Sequence, residues 1–183
     1  FFRDPERFSI NDDKYLVSPA DGEIIKVEEV DGPKELGLEG RKFKKISIFM
    51  NVFDVHVNRS PMLGQITYKK YIPGSFLNAS LDKASDENER LILNMDADNG
   101  NKIAFVQIAG LVARRIICDV DIGHSLKAGE VFGLIRFGSR VDIYFPSEAS
   151  TKVLVGQKMI AGETIIADFT KSSKPVTRNI DEK

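Results

Sequence analysis

Apolar and polar positions alternate along much of this chain with the two-residue period of half-buried strands. Lys45-Ile46-Ser47-Ile48-Phe49-Met50 and Gly64-Gln65-Ile66-Thr67-Tyr68 both alternate. So does Arg140-Val141-Asp142-Ile143-Tyr144-Phe145, which stops at Pro146. Residues Glu23 to Val30 are rich in β-branched side chains and follow an Asp21-Gly22 turn, as a strand should. Leu91 to Met95 and Lys102 to Ala109 flank a turn of Asp, Asn and Gly over 96–101, which predicts a hairpin. Helical signals are scarce. The candidates are Leu111 to Ile117 and a short turn around Leu81 to Arg90. The pattern predicts a mainly β protein with few short helices.

A weak internal echo refines that expectation. Ser125 to Gly133 and Lys158 to Ile166 each carry an Ala-Gly-Glu turn leading into a β-branched strand. With the early Asp21-Gly22 turn, these elements resemble the sandwich-like barrels of biotinyl and lipoyl carriers. Two unrelated turns of favoured composition explain the echo about equally well. At 183 residues the chain fits one domain, 1–183. Its polar end, 171–183 with Pro175, is expected to be a disordered tail.

Composition narrows the chemistry. Cys118 is the only cysteine, so an internal disulfide is impossible and a reducing compartment is the natural expectation. Nothing has the spacing of a zinc site. A formal charge of −1 argues against a general nucleic-acid binder. Basic spots occur at Arg41, Lys42, Lys44 and Lys45, and at Arg114 and Arg115. Solvated surface charge accounts for most such spots; contact with phosphate or a lipid surface is the alternative. No run of 18 apolar residues is present. The opening Phe1-Phe2-Arg3-Asp4-Pro5-Glu6-Arg7 lacks an initiator Met, so a trimmed or processed chain is expected, with any membrane anchor preceding Phe1.

Three islands hold the reactive groups: Ser18-Pro19-Ala20-Asp21-Gly22, Asp54-Val55-His56-Val57-Asn58-Arg59 and Phe137-Gly138-Ser139-Arg140. A hydroxyl, an imidazole and a carboxylate are the parts of an activated nucleophile. Singly they are weak signals. A histidine beside an apolar strand is most often a hydrogen-bonded core residue, an Asp-Gly pair is most often a turn, and Ser139 could simply begin a strand. Together, with Phe1 to Arg7 and Asn88-Glu89-Arg90, they resemble the phosphatidylserine decarboxylase family, in its short archaeal and bacterial form.

That resemblance implies an enzyme that makes its own cofactor. Asp21, His56 and Ser139 would cut the chain between Gly138 and Ser139, giving pieces 1–138 and 139–183 that stay together. A pyruvoyl group derived from Ser139 would remain, forming a Schiff base with the substrate amine. The substrate would be phosphatidylserine, or an archaeal ether analogue (archaetidylserine), and the product its ethanolamine counterpart. Membrane association on the cytoplasmic face also follows; apolar edges of a β domain allow a homodimer, and the charge already noted speaks against a nucleic-acid partner. His56 would be general base, with Asp21 fixing its tautomer and stabilising the imidazolium. Arg59, Arg90, Arg114 and Arg115 are candidate phosphate contacts, and Tyr71 to Leu77 a candidate apolar lip.

Two departures from the longer family members stand out. Phe53 occupies the position of their second histidine, and Arg140 follows the serine where they commonly have Thr. Gly74-Ser75 lacks the family flanks and reads as structural; His124 reads as a turn residue. The competing class is a non-catalytic carrier or interaction module, whose attachment lysine would be Lys158. A pyruvoyl enzyme acting on a soluble amino acid is a third reading.

Overall fold

The computed structural model describes residues 3–112 and 115–172, the last two through their backbone alone. In chain order the first strands are β1 (Tyr15–Val17), β2 (Gly22–Asp31), β3 (Lys42–Met50), β4 (Val57–Arg59) and β5 (Gly64–Ile72). A single helical turn, α1 (Ala84–Glu87), precedes β6 (Arg90–Ala97), β7 (Lys102–Ile108), β8 (Ile116–Cys118), β9 (Ser125–Leu126) and β10 (Val131–Ile135). The last are β11 (Ser139–Pro146), β12 (Ala149–Thr151), β13 (Lys158–Met159) and β14 (Ile165–Ser172). An eight-stranded antiparallel sheet runs β13-β2-β3-β11-β7-β6-β5-β9 and curls into a half-barrel. Two three-stranded sheets, β1-β14-β12 and β4-β10-β8, complete the sandwich-like form.

β11 is a central strand, paired with β3 on one side and β7 on the other, and every residue in it is buried. Period-two alternation sorts its side chains. Val141, Ile143 and Phe145 enter the main core with Ile46, Ile48, Phe105 and Phe132. Tyr144 faces the opposite way, into a second core with Leu36, Leu38, Phe43, Ala84, Ile92 and Val106. The segment before β3 and the α1 turn therefore cover the sheet's outer face.

The internal echo is genuine. Gly129 and Gly162 are both left-handed, at φ +79° and +78°, and abut each other. Gly162 N–H donates to Ser18 O and Gly129 N–H to Ser60 O, each at 2.8 Å. Val17 N–H donates to Pro61 O at 3.0 Å, and Arg59 N–H returns the bond to Pro19 O at 2.9 Å. Ser18 Oγ caps Ala20 O and Ser60 Oγ caps Met62 O, each at 2.8 Å. Two Ser-Pro corners thus exchange bonds around a quasi-twofold axis, as the sandwich-like barrel expectation requires.

Most predicted strands are present, several longer than read, and β6–β7 is the predicted hairpin. Among the described residues of Leu111 to Ile117 none is helical: Ile116 and Ile117 belong to β8, paired to Ile135 and Leu134 of β10. β-branched neighbours favour that pleated pairing over a helix. Helix in the 81–90 segment shrinks to α1, and Arg90 already opens β6. β14 continues to Ser172, so the expected tail begins as strand; residues 173–183 lie outside the described residues. The basic run 41–45 is matched by acidic neighbours: Lys42, Lys44 and the half-buried Lys45 oppose Asp31, Glu29 and Glu28 across β2–β3.

Candidate active site

Between β10 and β11 the chain leaves one sheet and enters the middle of another through a sharp corner. Phe137 and Gly138 turn it with consecutive left-handed conformations, φ +49° and +52°. Phe137 is the only non-glycine in that region among the described residues, at a cost of roughly 1–2 kcal/mol. Ser139 follows directly, opposite Met50 of β3 and fully buried. Its Oγ has no hydrogen-bond partner among the described residues. Gly110, just past β7, packs against the carbonyl one residue back: a methyl group on Gly110 would lie 1.6 Å from Gly138 O. Only a glycine allows that approach.

The loop carrying His56 starts and ends at this corner. It leaves β3 at Met50, beside Ser139, and its Val52 side chain reaches Gly138. An Asx turn shapes it: Asn51 N–H donates to Asp54 Oδ2 at 2.8 Å, and Phe53 N–H to Asn51 Oδ1 at 3.3 Å. It closes where Ile135 N–H donates to His56 O at 3.3 Å. His56 is 1% exposed. Its Nδ1 lies 2.8 Å from Asp54 O, which can only accept, so Nδ1 carries the proton and Nε2 the lone pair. Burial holds the imidazole below its ordinary pKa of 6.5, opposed in part by the Asp54 backbone bond and the charges of Asp54 and Asp21. The ring is therefore neutral at neutral pH.

Asp21 sits on the turn into β2. Gly22 is required there, because a Cβ would stand 2.2 Å from Phe49 O on β3. Asp21 Oδ2 accepts from Arg7 at 2.8 Å, and Oδ1 from Ala161 N–H at 2.7 Å. The Asp54 carbonyl, at His56 Nδ1, sets the tautomer, and the Asp21 carboxylate contributes a favourable charge to the imidazolium form. Arg7 belongs to an extended strap over residues 3–9. Arg3 donates to Phe53 O at 3.1 Å, and Phe8 N–H to Glu163 Oε1 at 3.1 Å.

The other candidates separate cleanly. Arg59 is engaged by Asp4 at 2.5 Å, Gly129 O at 2.8 Å and Pro5 O at 3.0 Å, so its guanidinium grips the strap. Arg90 lies on the sheet's far face, bound to Glu35 at 2.6 Å and to the Asp86 and Asn88 carbonyls. It lines a cavity of about 160 Å³ there with Lys45, Asp142 and Tyr144, remote from the main-core face where Ser139 lies. Arg114 is outside the described residues. Arg115 is exposed and joined to the corner, its carbonyl accepting from Arg136 N–H at 3.3 Å.

Lys158 lies within a strand and pairs with Glu23 at 3.0 Å, unlike a carrier lysine at a hairpin tip. His124 Nδ1 accepts from Asp121 N–H in a turn, and Ser75 bridges Asn88 through its backbone, as read from sequence. Phe53 is 83% exposed. The Cys118 thiol is pushed up by burial. No metal-holding group of His, Cys, Asp or Glu occurs among the described residues.

An apolar rim surrounds the corner: Val52, Phe53 and Phe137 are exposed, as are Leu111 and Val112 beyond Gly110. The 73–79 loop borders it. Asn88 clamps Leu77 O at 2.8 Å and Ala109 O at 2.7 Å, and Ala79 packs at Gly110.

Fold and candidate site together define a sandwich-barrel protein with a buried serine at the start of a central strand, directly after a strained turn. A family model described as phosphatidylserine decarboxylase matches residues 1–167. A phosphatidylserine decarboxylase proenzyme of Pelagibacter ubique (strain HTCC1062) is 63% identical over 167 residues, 91% of this chain and 77% of the relative. Proenzymes of the same description from Rickettsia akari (strain Hartford) and Rickettsia typhi (strain ATCC VR-144 / Wilmington) are 54% and 53% identical over 169 residues, 92% of this chain and 73% of each relative. The chain belongs to the phosphatidylserine decarboxylase family.

Proposed function

We propose that this chain is a self-processing decarboxylase that converts phosphatidylserine to phosphatidylethanolamine. One observation carries the processing half: a buried hydroxyl without a partner, directly behind a carbonyl presented on two left-handed residues. His56 Nε2 takes the Ser139 proton, and Oγ attacks the Gly138 carbonyl carbon. The Gly138–Ser139 peptide bond breaks as an ester forms, and the freed nitrogen recovers the proton. Loss of the residue-139 Cα proton then expels the Gly138 carboxylate. Water converts the resulting dehydroalanine to a pyruvoyl end, releasing ammonia. Asp21 offsets the positive charge that His56 acquires, and strain at Phe137 is relieved when the bond opens.

Position 139 suits the pyruvoyl group: among the described residues its Oγ makes no hydrogen bond, so replacing it by a ketone oxygen strands no partner. Such a carbonyl supplies an electron sink for the charge left when CO₂ departs. The chain's own residues present a lipid to it. The apolar rim is matched to the glycerol and upper acyl region, and exposed Arg115 and Arg136 offer cations to the phosphate. These features support work at a phospholipid surface; among the described residues no helix is long and apolar enough to cross a membrane. Lys158 within a strand speaks against the carrier reading.

Intact mass of freshly made protein tests the proposal. Wild type resolves into pieces 1–138 and 139–183, and only the cut form releases CO₂ from phosphatidylserine vesicles. Ser139→Ala and His56→Ala stay folded and whole. A His56→Ala variant that cuts at the wild-type rate refutes the base assignment.

A further inference from the structure

We propose that Arg140 is the anchor that keeps position 139 in place once the bond before it is cut. The inference rests on the processing reading above and goes beyond it. Before scission Ser139 is held from both sides by the chain. Afterwards it is a chain end, and chain ends fray unless tied down. The backbone ladder alone ties it weakly. Pairing with β3 reaches Ser139, but pairing with β7 begins only at Arg140.

The Arg140 side chain supplies the missing hold. It points to the face opposite Ser139 and is 1% exposed. Nε donates to Asp142 Oδ1 at 2.6 Å and one terminal nitrogen to Asp142 Oδ2 at 3.0 Å, a two-point pairing. The same nitrogen reaches Ser47 Oγ at 2.8 Å and Ser85 Oγ at 2.7 Å, and the other reaches Leu81 O at 3.2 Å. Ser85 Oγ donates to Asp142 Oδ2 at 2.9 Å, and Lys45 Nζ stands 3.3 Å from Ser85 and 3.5 Å from Asp142.

The origin of these partners matters more than their number. Ser47, Ser85, Leu81 and Lys45 lie in the piece ending at Gly138; Arg140 and Asp142 lie in the piece starting at 139. The network therefore clasps the two products one residue from the cut. A buried ion pair is a poor device for bulk stability, because desolvation offsets most of its attraction. A planar guanidinium fork is a good device for fixing one backbone position. Residue 139 is a single Cα–Cα step of ~3.8 Å from that fixed point.

Hydrogen–deuterium exchange of amides 140–143 separates an anchor from a merely structural residue. It is measured on cut protein and on the Ser139→Ala form, each with and without Arg140→Lys, which keeps the charge and loses the fork. The expected result is at least tenfold faster exchange in cut Arg140→Lys than in cut wild type. In the whole Ser139→Ala background, exchange stays within threefold. In vesicle assays kcat falls at least tenfold with KM within twofold. Ser85→Ala, which removes one strut and leaves the Asp142 pairing, gives a smaller change of the same sign and serves if Arg140→Lys does not fold. Equal changes in cut and whole protein, or none in the cut form, overturn the anchor alone. Wild type that remains one species by intact mass overturns the processing reading and the anchor together.

Discussion

Gly110→Ala tests whether the Gly138 carbonyl must occupy its observed position. The added methyl would lie 1.6 Å from that oxygen, against an ordinary contact of 3.4 Å or more. Gly110 has no positive φ, so alanine there meets no backbone penalty and the collision is the whole perturbation. Carbonyl, loop or both must yield by ~2 Å, and overpacking of this kind costs about 1–3 kcal/mol of stability. The kinetic cost is larger. Attack needs the reacting atoms ~3–3.5 Å apart, and a 1 Å misplacement is worth ~10²-fold. Self-cleavage should therefore slow by at least ~10²-fold, ~2.7 kcal/mol in the barrier. The assay is a time course of intact mass on newly synthesised protein, with a thermal melt confirming the fold. Gly100→Ala is the control: its φ of +84° makes alanine strained, but nothing lies within 4 Å and the site is remote. It should lose stability and cut normally. Folded Gly110→Ala that cuts within threefold of wild type refutes the argument.

Four further outcomes are expected. Because burial lowers the His56 pKa, the self-cleavage rate should be flat through neutrality and fall only below pH 6.5; an inflection above 6.5 in single-turnover rates contradicts this. The same shift means that the unfolded chain binds a proton the folded chain refuses below 6.5, so His56's contribution to stability is complete above 6.5 and declines as pH falls beneath it, readable by urea titration. Phe137→Gly relieves the left-handed strain and should slow cutting about fivefold, the equivalent of ~1 kcal/mol; a faster rate would show that the strain does not assist. Phe53→Ser with Leu111→Ser should weaken sedimentation with phosphatidylserine–phosphatidylcholine vesicles by at least ~10-fold, since each buried apolar side chain is worth ~1.5–3 kcal/mol; unchanged partitioning removes the rim from the lipid surface.

Sequence carried the fold where one signal dominated. Alternation in 45–50 and 140–145 placed β3 and β11, because a strand buried on both faces must still sort its side chains by parity. It failed at 111–117, where an apolar stretch lacks a readable period and the pairing of Ile117 with Leu134 comes from a distant strand. The echo around Gly129 and Gly162 was visible, yet its meaning lay in bonds between Ser18 and Gly162 and between Ser60 and Gly129, separations no local pattern reveals.

The candidate site divides the same way. Reactive side chains announce themselves by type, so Asp21, His56 and Ser139 could be nominated as candidates from motif alone. The groups that arrange them cannot be seen that way. Asp54 acts through a carbonyl, which every residue has. Gly110 acts through the absence of a side chain, and Phe137 through a torsion. Arg7 acts from a strap whose course is set by Asp21, and Arg59 by gripping that strap at Asp4 and Pro5. The last pair carries a consequence for reading arginines near phosphate chemistry. A guanidinium beside an active-site motif invites the role of anion receptor, but Arg59 and Arg90 already meet a carboxylate and two carbonyls each. Arg115 and Arg136 are exposed beside the turn that bears Gly138, and in the function proposed above they are the cations left to meet a lipid phosphate.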